Sequence, residues 1–99
     1  MITHVVIFWT DKPHSQNRAS LLAGARMLGQ IPGVLEFRCG IPVPGTRAVL
    51  DDSFAVAISM TFKNQADADA YQVHPIHLEF VETCCKPYAK RLVVYDWES

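Results

Sequence analysis

The sequence lacks the features that mark several large classes of protein. Its longest apolar run, residues 5–9 (VVIFW), is too short to span a membrane. Met1 leads directly into Ile2, Thr3 and His4, with no basic segment and no cleavage site, so we expect no secretory signal. The basic residues form no cluster longer than the pair at 90–91, which argues against a nucleic-acid partner. These absences favour a cytoplasmic protein that binds neither nucleic acid nor a membrane.

Cysteine and metal-ligand patterns are also sparse. The chain has three cysteines, and the adjacent pair Cys84-Cys85 makes a poor disulfide framework, which fits a reducing compartment. We expect Cys85 to fill the core. His74 and His77 have the i, i+3 spacing of one helix face, but neither HExxH nor CxxC accompanies them. We therefore expect no metal site, and no residue pattern implies a cofactor.

Size and composition predict a single small domain with more apolar surface than it can hide. The chain has 99 residues, a net charge of −1 and 49% hydrophobic residues. This length fits one domain spanning residues 1–99, and a domain of this size buries only part of its apolar surface. We therefore expect some of that surface to be buried against a second copy of the chain.

Hydrophobic periodicity predicts the element order β-α-β-β-α-β, with the second helical region broken in two. The predicted strands cover residues 2–9, 34–43, 53–63 and 91–97. The predicted helices run from a cap at Ser15 or Asn17 to about residue 29, from 64 to 71, and from 75 to about 85. This order indicates an α+β, ferredoxin-like fold with a four-stranded antiparallel sheet and both helices on one face. Two such sheets, paired through their open faces, would close a dimeric α/β barrel.

The stretch from Tyr71 to His77 carries most of the chemistry in the chain. Pro75 suits the first position of a helix, which makes His74 the capping residue before it and places His77 in the first turn. An imidazole near a helix N-terminus feels the positive end of the dipole, so its neutral form, the one a general base needs, is favoured. Tyr71 could then donate a hydrogen bond to a developing oxyanion. The alternative is that both side chains only brace the junction between two helices.

Several short segments, in order along the chain, resemble one known family. They are His4-Val5-Val6, Ile31-Pro32-Gly33-Val34, Thr61-Phe62, Tyr71-x-x-His74-Pro75-x-His77 and Tyr95-Asp96. Together they are similar to the stress-responsive A/B barrel (Dabb) domain, over essentially the whole chain. The resemblance implies a dimeric α+β barrel. Plant members include heat-stable, stress-induced proteins and a polyketide cyclase. In that cyclase the catalytic pair falls at the positions of Tyr71 and His77, and the position of His4 lines the pocket.

These observations lead to one main functional hypothesis and two alternatives. The main hypothesis is a Dabb-type homodimer that binds a small apolar or aromatic molecule between sheet and helices, in contact with His4, Tyr71, His74 and His77. The small residues of the third strand, Ala55, Ala57, Ser59 and Thr61, are expected to leave room for it. One alternative is a cofactor-free cyclase, lyase or isomerase with His77 as general base and Tyr71 as oxyanion donor. The other is a non-catalytic stability or assembly module. The sequence leaves open whether the protein is an enzyme.

Overall fold

The structure is a computed structural model that describes residues 1–11 and 14–99, with residues 14–16 described by their backbone alone. The strands are β1 (Ile2–Thr10), β2 (Arg38–Gly40), β3 (Val56–Phe62) and β4 (Ala89–Glu98). The helices are α1 (His14–Arg26), α2 (Gln65–Val73), α3 (Pro75–Phe80) and α4 (Lys86–Tyr88). A 3₁₀ turn, Met27–Gln30, follows α1, and a π-helical turn, Val81–Cys85, joins α3 to α4.

The four strands form one antiparallel sheet in the order β2-β3-β1-β4. The central strand β1 is rich in β-branched and aromatic residues, which suit a position between two neighbours. It pairs with β3 over residues 2–8 and with β4 over residues 2–10. This topology confirms the predicted ferredoxin-like α+β fold.

The two faces of the sheet differ in what covers them. Alternate residues of β1, such as Val6 and Phe8, are buried against the helices, while the residues between them are only half-buried. On that second, open face Val5 lies opposite Tyr95 and Thr3 opposite Trp97. Tyr95 and Trp97 are each at least half exposed. The apolar face that the sequence leads us to expect is therefore present, and the helices of the same chain lie on the other side.

The core lies between the helices and the inner face of the sheet. Helix α1 contributes Leu21 and Ala25, both fully buried, and the 3₁₀ turn after it contributes Leu28. The spacing of these residues places them on one side of the helical segment. Helix α1 begins at His14, so both predicted caps, Ser15 and Asn17, lie inside the helix and neither precedes it.

Two strands are shorter than their sequences predict. The strand predicted at 34–43 is a regular strand only at Arg38–Gly40. Before it, the backbone N–H groups of Leu35 and Glu36 donate to the carbonyl and the hydroxyl of Thr61, and after it Pro42 has no N–H to donate to the sheet. The strand predicted at 53–63 begins at Val56. Before it, the Asp51 carboxylate accepts hydrogen bonds from the backbone N–H and the hydroxyl of Ser53, which form a local turn instead of a strand.

The junction between α2 and α3 forms as its sequence predicts. Asn64 caps α2, and its side-chain oxygen accepts a hydrogen bond from the Asp67 backbone N–H at 2.9 Å. Helix α2 continues to Val73, two residues beyond the predicted end. His74 then caps α3, its Nδ1 accepting a hydrogen bond from the Ile76 backbone N–H at 3.1 Å, and Pro75 occupies the first helical position.

The last helical region continues past the predicted end near residue 85. Pro87 has no backbone N–H and its ring clashes with the carbonyl of the preceding turn. A π-helical turn, Val81–Cys85, precedes it and loosens the helix, so the chain stays helical through Tyr88. In the described residues, 1–11 and 14–99, there is no helix with the length and apolar character needed to cross a membrane.

Candidate functional site

A cavity of about 290 Å³ lies between the helices and the inner face of the sheet, above β1 and β4. Its wall is mainly apolar and includes Phe8, Phe80, Leu92 and Val94. Strand β4 is at the sheet edge, where the helices cover it incompletely, and Leu92 and Val94 are each about half exposed. The cavity is therefore open to solvent along β4.

Tyr71 lies at the centre of the polar part of this wall. Helix α2 presents its ring to the sheet, where the residue is only 1% exposed. The ring centroid is 5.7 Å from that of His4, 4.7 Å from that of His77 and 5.3 Å from that of Phe62. Burial raises the pKa of the Tyr71 phenol, so the hydroxyl stays protonated and able to donate a hydrogen bond at physiological pH.

His77 carries a free nitrogen at the same place. It lies in the first turn of α3, and its Nδ1 is buried and has no hydrogen-bond partner among the described residues. Burial lowers the pKa of His77, a hydrogen bond with the Gln72 backbone partly opposes this effect, and the nearby His4 lowers the pKa slightly further. The ring is therefore neutral near pH 7 and can accept a proton or a hydrogen bond from a molecule in the cavity.

We expect a titration of the histidine ring signals by NMR to give His77 a pKa below the usual value of about 6.5. The unfolded chain then binds more protons than the folded chain, so this group's contribution to stability is complete above pH ~6.5 and is lost as the pH falls through the folded-state pKa. When urea unfolding is measured at a series of pH values, the free energy of unfolding of His77→Gln should lack this pH-dependent contribution. A His77 pKa at or above 6.5 would contradict the burial argument.

His4 and Asp96 form a polar pair across neighbouring strands. They lie directly opposite each other in the pairing of β1 and β4, and His4 Nδ1 lies 2.5 Å from Asp96 Oδ1. His4 is buried, whereas the Asp96 side chain is 58% exposed. A carboxylate oxygen accepts hydrogen bonds, so the Nδ1–H group of His4 is the donor and Asp96 Oδ1 the acceptor of this hydrogen bond. The pair fixes the orientation of the His4 ring beside Tyr71.

The structure thus brings together three of the four histidine and tyrosine residues that the sequence singles out, namely His4, Tyr71 and His77. His74 is the exception, because its ring caps α3 and does not line the cavity. Asp96 was missed as a site residue. It shares the alternation of Leu92 and Val94 along β4, but only the pairing register shows that it faces His4.

The small residues of β3 lie on the other side of the sheet. His4 pairs with Met60, so the face of β3 that carries Met60 shares the cavity side, and Ala57, Ser59 and Thr61 point to the open face. The expectation that these small residues make room for a ligand beside Tyr71 and His77 is therefore wrong. Room for the cavity comes instead from the incomplete cover of β4.

Cys85 also lines the cavity, but burial and the neighbouring Cys84 raise its pKa to about 11. It remains a protonated thiol near neutral pH and is a poor nucleophile. Among the described side chains, those of residues 1–11 and 17–99, no group of three or more His, Cys, Asp or Glu is arranged to hold a metal ion.

The chain matches the family described as the stress responsive A/B barrel domain (Dabb) over residues 2–99. Because the match covers almost the whole chain, the protein belongs to the Dabb family. This confirms the resemblance seen in the sequence. No curated protein sequence matches the chain.

Solved structures give the same fold. A Dabb family protein with a ferredoxin-like fold from Mesorhizobium loti is 27% identical, with a TM-score of 0.80, covering 99% of this chain and 95% of that one. A hydroxynitrile lyase from Passiflora edulis is 26% identical, with a TM-score of 0.76 and coverage of 97% and 90%. A dimeric ferredoxin-like protein of unknown function from Jannaschia sp. is 22% identical, with a TM-score of 0.75 and coverage of 99% and 98%.

Proposed function

We propose that this protein binds a small, mainly apolar or aromatic molecule in the cavity between sheet and helices. The observation that carries the proposal is that an apolar cavity reaches Tyr71, His77 and His4 together. Small-molecule sites typically combine an apolar wall with a few convergent polar groups. At about 290 Å³, the cavity is near the lower end of the usual range, which suits a compound with one aromatic ring.

We propose further that the protein acts as a homodimer joined through the open sheet face. That face carries Val5, Tyr95 and Trp97, whose burial would be favourable in water. The structurally similar protein from Jannaschia sp. is described as dimeric, which supports a dimer here as well. The cavity lies on the opposite face of the sheet and stays accessible when two such faces pair.

A second candidate function is proton transfer on the bound molecule, as in a cofactor-free cyclase, lyase or isomerase. The free Nδ1 of His77 favours it, because a buried nitrogen without a partner is ready to take a proton from carbon or oxygen. Tyr71, which stays protonated, would donate a hydrogen bond to the oxyanion that forms. The similarity to a hydroxynitrile lyase also supports a lyase-type reaction.

The remaining alternative is a module in which the same residues only stabilise the helix junction. The ring contact between Tyr71 and His77, at 4.7 Å, contributes to packing under any of these hypotheses. A purely structural role gives no reason for a free nitrogen at the wall of a cavity. An unpaired buried polar atom destabilises the fold, so a role in binding explains it better.

Filling the cavity should remove ligand binding without touching Tyr71 or His77. Val94 lines the cavity on β4 and is about half exposed, so a tryptophan at this position can project into the space with little strain. We expect Val94→Trp to weaken the binding of phenylacetone, a neutral single-ring ketone, more than about tenfold, measured by titration calorimetry. Val94→Ile is the matched control and should bind normally. Unchanged binding by Val94→Trp would show that the ligand site lies elsewhere.

A further inference from the structure

A second cavity of about 180 Å³ adjoins the first at the His4–Asp96 pair. It lies between α2 and the ends of β1 and β4, and three residues line both cavities: His4, Gln72 and Asp96. The hydrogen-bonded His4–Asp96 pair and Gln72 therefore lie at the boundary between the two cavities. A molecule in the apolar cavity that extends past Tyr71 would place its far end here.

The second cavity has a different chemical character from the first. Gln65, Asp69 and Gln72 follow one another at the i, i+4, i+7 spacing that brings side chains onto one face of a helix. Gln65 donates a hydrogen bond from Nε2 to Asp69 Oδ1 at 2.9 Å, which holds the carboxylate in place. Asp96 faces them from β4. The carboxylates of this polar wall only accept hydrogen bonds when ionised, whereas the two glutamine amides can both accept and donate them.

The acidic side chains on this wall are Asp69 and Asp96, and His4 is hydrogen-bonded to Asp96. Neither cavity is lined by a lysine or an arginine among the described residues. A ligand carboxylate or phosphate there would face two carboxylates, with no lysine or arginine beside it among the described residues. A hydroxyl or an ammonium group would instead find acceptors. The lining thus disfavours anionic ligands in two ways. Its carboxylates repel them, and no lysine or arginine of the described lining attracts them.

We propose that the second cavity is a subsite for the polar end of the ligand, and that the ligand class is an apolar or aromatic body bearing a neutral hydroxyl or a protonated amine. This inference rests on the proposed function, because the apolar body occupies the first cavity. Carboxylic acids and acyl phosphates of the same size are excluded. The protein thus discriminates among molecules with the same body by the charge of their polar end.

Three probes with the same ring test this inference: 2-phenylethanol, 2-phenylethylamine and phenylacetate. At pH 7.5, where the amine is cationic and the acid anionic, we expect the alcohol and the amine to bind at least about tenfold more tightly than phenylacetate in titration calorimetry. Asp69→Asn should lower the amine-to-acid affinity ratio about tenfold, because removing one unit charge about 6 Å away changes each affinity about threefold, in opposite directions, at the near-aqueous dielectric of a site open to solvent. Added salt should reduce the difference in affinity between the amine and phenylacetate, because salt screens charges in a site that is open to solvent.

Asp67→Asn is the matched control, because it removes the same charge from the same helix and lines neither cavity. It should leave the amine-to-acid ratio unchanged. Equal or tighter binding of phenylacetate to the unaltered protein would overturn the charge selection and leave the proposed binding function in place. An equal fall in the ratio for Asp67→Asn and Asp69→Asn would also overturn it, because the effect would then come from net charge. If none of the three probes binds with a dissociation constant below about 10 mM, both proposals are overturned.

Discussion

Replacing His77 by glutamine should lower catalysed α-proton exchange in a bound ketone about 100-fold or more, with little change in melting temperature. His77 is neutral near pH 7 because burial lowers its pKa, and its Nδ1 is free to take a proton. Removing a positioned general base typically costs a factor of about 10²–10⁴ in rate. Glutamine keeps a polar side chain of similar reach but has no basic nitrogen. The measurement is loss of the α-proton signals of phenylacetone in D2O, followed by NMR.

Two further variants separate catalysis from packing. Tyr71→Phe keeps the buried ring and removes only the hydroxyl, so it should slow exchange while binding of the ketone persists. His74→Asn keeps a capping side chain, and its position does not line the cavity, so it should exchange like the unaltered protein. If His77→Gln lowered the melting temperature strongly and left the exchange rate unchanged, the bracing role would be correct and the proton-transfer role wrong.

Phe62→Ala should destabilise the fold by about 3–5 kcal/mol, the range found when a large core side chain is removed and leaves a cavity. Phe62 lies on β3, is 1% exposed, and its ring packs 5.3 Å from that of Tyr71. A domain of this size has only about 5–15 kcal/mol of stability to lose. The free energy of unfolding is measured in urea at one fixed protein concentration, because the proposed dimerisation would make stability depend on concentration.

Val49→Ala is the control for this experiment. Val49 is 89% exposed, so its truncation should change the free energy of unfolding by less than about 0.5 kcal/mol. A loss below about 1 kcal/mol for Phe62→Ala would mean that the contact between β3 and Tyr71 does not support the core.

The parts of the structure that depend on local sequence were predictable. The cap at His74, the first helical position of Pro75 and the placement of His77 in the first turn all follow from backbone chemistry within four residues. The order of strands and helices followed from hydrophobic periodicity and topological preference. The sequence alone therefore predicted that Tyr71 and His77 lie together at the junction of the two helices.

The parts that depend on pairing between distant segments were not predictable. The contact of His4 with Asp96 joins residues 92 positions apart and requires the register of β1 against β4. The register of β1 against β3 places Ala57, Ser59 and Thr61 on the face away from the cavity, because a shift of one residue reverses every side chain of a strand. Strand ends were also misjudged, since the turn at Asp51 and Ser53 competes with pairing through side-chain hydrogen bonds.

The most direct test of the central claim is an NMR titration of the histidine rings with 2-phenylethanol. His77 and His4 line the cavity, whereas His74 caps a helix outside it. If the ligand binds beside Tyr71 and His77, the ring signals of His77 and His4 should shift along one saturable curve while those of His74 stay in place. Signals of His77 and His4 that do not move, or that move no more than those of His74, would contradict the claim that this cavity is the functional site.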